Sequence, residues 1–297
     1  MTEQPRVWKS ATSGLYYRQP RLGVYEAQLI QPGDISNIEA TAVLDEVLGL
    51  AAPQYTLRGV CRPVRMDGLT ARVDIATKLA GREKVPPMVE AEFSAEAYTS
   101  VDFELWKNVV HVAVSDEAQK RAAHDVLGLH ASDAARDLAR MENKQIAEEL
   151  TTATDTTGAD WGTATNNPFD DVVAAMTTIE GNGHPVDFIA AHPLVWGDYF
   201  SNPFVRGTIQ GIQLPTGRVF QVPGLPGVTG YSDPALTSTV AYVGSRVAPA
   251  LVLGEGPTEA ARYRDERAGY DAYIIRQWLQ PRLVLADAVR EITGVHA

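Results

Sequence analysis

The sequence predicts an α+β protein built around one long helix, and three observations carry that expectation. Residues 99 to 114, "TSVDFELWKNVVHVAV", alternate apolar and polar side chains with the period of two that marks half-buried strands. Residues 124 to 151 contain no proline and repeat apolar residues at helical spacing. From Pro168 onward, helix, strand and turn signals alternate at short intervals, as in a compact α+β unit.

The first 33 residues read as an arm. Residues 1 to 21 carry Arg6, Lys9, Arg18 and Arg21 against Glu3 alone. Trp8, Leu15, Tyr16 and Tyr17 are costly to leave in water, so a docking arm is expected rather than a solvated tail. A short helix follows over 34–53. Ser36 is its expected cap, Glu39 stands three residues on as a capping box requires, and Pro53 closes it.

Residues 54–98 read as an extended loop built on a β-hairpin. "YTLRGVCRPVR" and "LTARVDIAT" flank Met66-Asp67-Gly68, and Asp-Gly between β-patterned runs signals a tight turn. Leu69, Ala71, Val73 and Ile75 alternate with Thr70, Arg72 and Asp74, while Pro63 makes the first run an edge or broken strand. The segment is charged, with Arg72, Lys78, Arg82 and Lys84, and it is interrupted by prolines. A long hairpin with little to bury is marginal alone, so another chain is expected to supply the missing contact.

In the next stretch Val101, Phe103 and Leu105 face one way and Asp102 and Glu104 the other. Lys107-Asn108 interrupts; Val110, Val112 and Val114 resume the alternation. Ser115 offers an N-cap oxygen, with Asp116 and Glu117 in the first turn where the helix dipole favours anions. The long helix over 124–151 carries Val126, Leu129, Ala134, Leu138, Met141, Gln145 and Ile146 as a narrow stripe. "TTATDTTGADWGTATNN" reads as a loop or internal boundary. "PFDDVVAAMTTIEGNGHP" gives a helix ending at Gly181, "VDFIAAHP" a buried strand and "PLVWGDYFSNPFVRG" a second helix. Strands then alternate with the turns "LPTGR", "VPGLPGVTG" and "YSDP". "YDAYIIRQWLQPRLVLADAVREITG" closes with two strands broken at Gln280-Pro281. No segment repeats at a fixed period, which argues against solenoids and propellers.

Composition narrows the function. The net charge of −11 argues against a general nucleic-acid coat with a basic surface. The lone Cys61 excludes an intrachain disulfide framework and fits a reducing compartment. No window approaches the roughly twenty apolar residues of a membrane helix, and the N-terminus lacks the apolar core of a secretory signal. A soluble chain made inside the cell, with no membrane partner, is expected.

Chemistry is hard to find. There is no Walker loop, no G-x-G-x-x-G after a strand and no G-x-S-x-G elbow. Gly224, Gly227 and Gly230 are turn material. None of the six histidines pairs at the i, i+4 spacing of a helical zinc site. His184 and His192 lie eight apart with Asp187 between them, a pattern that structural histidines satisfy. Asp170-Asp171 is expected at a helix start for capping alone. Cys61 has no histidine near it in sequence to act as its base. No catalytic residue, cofactor or metal is expected.

The order of elements resembles the major capsid proteins of tailed viruses, bacterial or archaeal, with the Hong Kong 97 fold. "VEAEFSAEAYTSVDFELWKNVVHVAVSDEAQKRAAHDV" is similar to the family segment that leaves the extended loop, pairs in the peripheral sheet and enters the spine helix. "YDAYIIRQWLQPRLVLADAVREI" is similar to its closing, arginine-flanked strand pair, here with Arg276 and Arg282. The resemblance implies an N-terminal arm (1–33), a short helix (34–53) and an extended loop over a neighbour (54–98). It also implies a peripheral domain (99–158 and 246–297) around the spine helix, and an axial domain (159–245).

The implied function is a structural subunit that forms hexamers and pentamers of an icosahedral shell around double-stranded DNA, assembled in the host cytoplasm. Portal protein, and separate scaffolding or decoration proteins, are the implied partners. Arg6, Trp8, Lys9, Tyr16, Tyr17, Arg72, Lys78, Arg82 and Lys84 are the candidate assembly residues. The alternatives are an encapsulin-type compartment shell and, more remotely, a soluble enzyme with an unrecognised site. Because the fold's elements begin by about residue 36, no fused N-terminal scaffolding segment is expected. Some relatives weld a loop lysine to an asparagine of a neighbour. Lys78 and Lys84 are candidate donors here, but the last asparagine is Asn202, so no covalent link is expected. Asp271 or Asp287 remains as an electrostatic partner for a lysine.

Overall fold

A computed structural model describes residues 7–9, 16–18, 32–76, 98–115, 117, 126–208, 217–246 and 250–297. The first strands, β1 (Val7–Lys9) and β2 (Tyr16–Arg18), pair antiparallel. Helix α1 spans Pro32–Ala51, so Ser36 lies inside it rather than capping it. Proline suits the first helical position because its φ is preset and its missing N–H would be unpaired there anyway. Single 3₁₀ turns follow at Ala52–Gln54 and Leu57–Val60.

Then come β3 (Arg62–Arg65), β4 (Thr70–Ala76), β5 (Tyr98–Glu104), β6 (Trp106–Ser115), α2 (Val126–Leu150) and β7 (Thr154–Thr157). Helix α3 (Pro168–Gly181), β8 (Phe188–Ala191), α4 (Pro193–Ser201) and α5 (Pro203–Thr208) follow. The chain continues with β9 (Val219–Gln221), β10 (Thr229–Ser232), β11 (Val240–Gly244), β12 (Leu251–Asp265), β13 (Tyr270–Leu283) and β14 (Val289–Thr293).

Four expectations about strands need correction. The hairpin across Met66-Asp67-Gly68 does not form. β3 instead pairs parallel with β12, and the Met66 N–H continues that ladder to the Glu255 carbonyl at 2.8 Å. β4 pairs antiparallel with β5, from Thr70 opposite Glu104 to Ala76 opposite Tyr98. This register lays Ala71, Val73 and Val101 against the small core of Met66, Phe103, Leu105 and Val252. Apolar parity therefore chose the partner, overriding the local turn signal.

The remaining three corrections concern strand boundaries. The break between β5 and β6 falls at buried Leu105, not at Lys107-Asn108. The threonine-rich run holds β7, which pairs parallel with β14 because β-branched threonines fit a sheet edge. Finally, β13 runs through Gln280-Pro281. Pro281 sits near the strand's C-terminal end, where a missing N–H disturbs the ladder least. The helix expected after Ser115 lies mostly outside the described residues.

The described residues fall into two compact units. One draws on 1–52, 109–137 and 258–276; the other on 53–108, 138–257 and 277–297. In the first, buried Asp271 accepts from Arg262 Nη2 and Arg264 Nη1, each at 3.1 Å. Asp271 is therefore already committed to two arginines, contrary to its expected availability for a lysine. The Tyr263 and Tyr270 rings meet edge to face at 6.2 Å.

The second unit holds a six-stranded sheet of order β7-β14-β11-β8-β10-β9. Both of its faces are buried. Phe188, Ala190, Tyr242 and Val289 join a core with Ile146 and Leu150 of α2. Ile189, Ala191, Ala241, Val243 and Ile292 pack with Val172, Ala175 and Ile179 of α3 and with Val195, Trp196 and Tyr199 of α4. Two covered faces explain why every residue of β8 is buried. Between α4 and α5, Asn202 Oδ1 caps the Phe204 N–H at 3.0 Å, and Pro203 opens the new helix. The expected single helix there is two. Gly224 and Gly227 take positive φ, as turn residues do.

Candidate assembly surfaces

The turn at Leu57–Val60 presents Arg58 to a carboxylate that the long helix buries. Arg58 Nε donates to Glu142 Oε1 at 2.8 Å and its Nη2 to Oε2 at 3.3 Å. Gln277 Nε2, from β13, donates to the same Oε2 at 3.1 Å. Arg58 also reaches Glu255 of β12 at 2.7 Å, and its guanidinium lies 4.8 Å over the Tyr55 ring. Burial pushes the Glu142 carboxyl up, and the Arg58 cation holds it back. Burial, with Glu142 nearby, moves the Tyr55 hydroxyl up to about 12.

Beside this cluster, Asn143 accepts from the Leu57 N–H at 3.2 Å and donates to Gln54 O at 3.1 Å and Asp233 Oδ2 at 3.0 Å. Together these bonds fasten the root of β3 and β4 to the long helix. Cys61, in the same neighbourhood, is buried with its thiol pushed well up, which suits packing rather than nucleophilic attack.

The β4–β5 pair carries Arg72 on its outer face. Arg72 lies 3.8 Å from both Asp74 and Asp102 and hydrogen-bonds Ser100 Oγ. Its side chain is 66% exposed, so these ion pairs contribute little to folding. At the root end of the pair, Trp106 stands 64% exposed. It borders an open cavity of about 710 Å³ lined also by Arg72, Phe103, Asp102, Glu104 and Arg282. The Gln280 side chain closes one wall by accepting from the Glu104 N–H at 2.6 Å. Elsewhere in this unit, Val173 of α3, Leu194 of α4, Phe204 of α5 and Val219 of β9 are large apolar side chains left exposed.

Of the residues expected to serve assembly, Trp8 stands opposite Tyr17 and Lys9 opposite Tyr16 in the β1–β2 pair. Arg72 is on β4. Arg6, Lys78, Arg82 and Lys84 lie outside the described residues. Trp106 and Glu142 were not anticipated, although each had a signal. Trp106 shares the parity of exposed Asp102 and Glu104, which puts an indole on the solvent side. Glu142 is four residues from both Leu138 and Ile146, squarely on the buried stripe of α2. His192 caps α4 by accepting from the Leu194 N–H at 3.2 Å, and Asp187 accepts from the Arg246 N–H at 2.8 Å. Among the described residues no group of three or more His, Cys, Asp or Glu is placed to hold a metal ion, and no helix is long and apolar enough to cross a membrane.

A family model described as phage capsid protein matches residues 112–287. No curated protein matches the chain in sequence. Among solved structures, the virus-like particle from Pyrococcus furiosus is 10% identical, with a TM-score of 0.63, over 86% of this chain and 99% of that one. The capsid of cyanophage P-SCSP1u is 14% identical, with a TM-score of 0.62, over 80% and 87%. The holo-SrpI encapsulin complex from Synechococcus elongatus PCC 7942 is 11% identical, with a TM-score of 0.57, over 82% and 88%.

Proposed function

Since this chain belongs to the phage capsid protein family, as a major capsid protein of the Hong Kong 97 fold that forms an icosahedral shell, we propose that its copies close into hexamers and pentamers around double-stranded DNA. The observation that carries this reading is the family match over 112–287, which takes in the long helix, five of the six strands of the larger sheet (all but β14) and the whole of β13. Residues 159–245 form the axial domain, and exposed Val173, Leu194, Phe204 and Val219 are its contacts around the capsomer. Residues 99–158 and 246–297 form the peripheral domain. Residues 54–98 reach over a neighbour, with Arg72, Lys78, Arg82 and Lys84 in that contact. The arm at 1–33, with Arg6, Trp8, Lys9, Tyr16 and Tyr17, crosses to an adjacent subunit or lines the inner wall. Assembly takes place in the host cytoplasm, with a portal protein and separate scaffolding or decoration proteins as partners.

The role is structural, and no step of it requires a reactive side chain. The Arg58–Glu142 pair fits that role, because it braces the Leu57–Val60 turn against the long helix. A compartment shell enclosing cargo protein is the second reading, supported by the likeness to the encapsulin complex. Electron microscopy of the purified protein tests both. Closed shells holding nucleic acid are expected; shells filled with co-purifying protein would favour the compartment, and small dispersed oligomers would sink both.

A further inference from the structure

We propose that the groove beside Trp106 seats the Val85-Pro86-Pro87-Met88 segment of a second copy of this chain. The proposal rests on the reading of residues 54–98 as a loop that reaches a neighbour. Trp106 supplies the first reason. Its indole stands 64% exposed at an open cavity with Phe103 beneath, and exposed tryptophans beside apolar ground are the residues that anchor interfaces. Aromatic-lined grooves also recognise polyproline II segments, whose extended backbone is largely preset and loses little entropy on docking. The sequence has one Pro-Pro pair, at Pro86-Pro87, inside the proposed reaching loop.

Charge supplies the second reason. Arg82 and Lys84 (with Glu83 between them) precede the prolines, and Glu90 and Glu92 follow. The groove presents Asp102 and Glu104 along β5, with Arg72 on β4 and Arg282 on β13. Both signs of charge flanking the prolines therefore have opposite charges to meet in the groove lining.

Direction supplies the third. The groove lies at the Thr70–Glu104 end of the β4–β5 ladder, while the loop departs from the Ala76–Tyr98 end. Six residue steps at about 3.3 Å put those ends roughly 20 Å apart. To fill its own groove the segment would have to turn back over that distance, so a second copy is the occupant proposed.

Single-cysteine chains carrying Trp106→Cys or Pro87→Cys in a Cys61→Ala background, co-assembled into shells and oxidised, test the placement. Disulfide-linked dimers of the 32.2 kDa chain are expected in the mixture and in neither variant alone. Closed mixed shells that remain monomeric on a non-reducing gel overturn the proposal and leave the shell reading intact. A chain carrying both cysteines that closes on itself as a fast-migrating monomer also overturns it, in favour of the same chain's loop. Wild-type protein that forms no shells sinks both. Thr70→Cys, on the exposed rim, replaces Trp106→Cys if loss of the indole prevents assembly. Independently, Trp106→Ala should raise the concentration needed for shell formation about tenfold or more, with Trp106→Phe closer to wild type. An unchanged assembly threshold contradicts the proposal.

Discussion

Arg58 and Glu142 stand 84 residues apart in sequence and meet at 2.8 Å, with Glu142 fully buried and Arg58 shared with Glu255. One cation thus serves two carboxylates. Removing the cation leaves a buried charge without its partner, which typically costs about 3–5 kcal/mol. Arg58→Ala is therefore expected to lower the unfolding free energy of the unassembled subunit by that order at neutral pH. Adding Glu142→Gln should restore part of the loss, because the uncompensated charge is gone. Urea unfolding of the single and double variants checks this; a double variant no better than Arg58→Ala would contradict the electrostatic account.

Acid acts on the same cluster with a definite sign. Glu142 has its carboxyl raised by burial, and so does Glu291, with Asp155 adding to the effect. A carboxyl raised on folding holds its proton more tightly in the native state. Its stabilising contribution is complete below the ordinary carboxylate pKa of about 4.3 and is lost as pH rises through the folded value. Relative to Glu142→Gln, wild-type subunit should therefore lose stability as pH climbs from about 4. A carbon-13 titration of Glu142 should show a midpoint above the ordinary range, and a midpoint below it would refute the assignment.

Gly244 lies in β11, where an added Cβ would meet Phe188 Cζ at 2.6 Å and Val289 Cγ2 at 3.1 Å. Phe188 is fully buried, so the ring has nowhere to move. Gly244→Ala is expected to cost about 1–3 kcal/mol by overpacking. Thermal unfolding would show it, and a melting temperature within a degree of wild type would mean the sheet can shift to accept the methyl.

Mature particles boiled in detergent and reductant should run as one band near 32.2 kDa. Residues 203–297 contain no asparagine to accept a lysine, and Asp271 is held by Arg262 and Arg264. A ladder of larger species surviving reductant would reveal another acceptor.

Local patterning was a good guide wherever one element's own periodicity decided its form. The alternation of Val101, Asp102, Phe103 and Glu104 was readable, as was α3 from Pro168 to Gly181. It failed where the deciding contact lay far off in sequence. Nothing near Arg62 shows that Val252 will be its ladder partner, so the Asp67-Gly68 signal pointed to the wrong hairpin. Thr154 to Thr157 look like a loop until β14 arrives to pair with them. The candidate surfaces divide in the same way. Strand parity and helical spacing mark Trp106 and Glu142 as misplaced for their types, but the arginine that meets Glu142 is visible only in three dimensions.

The position of β14 bears on how the subunit is made. It lies between β7 and β11, yet it follows both in the chain. When β7 leaves the ribosome its partner is still roughly 130 residues from being translated, a wait of about 7–26 s at 5–20 residues per second. Until then β7 and β11 each present an open edge, a template for pairing with the wrong chain. The threonines and Asp155 of β7 keep that waiting edge polar, so a nascent polypeptide crowded by its siblings on one messenger has less to stick to. The sheet closes only when 289–293 arrives, and a chain stalled before that point lacks the strand that joins β7 to the rest.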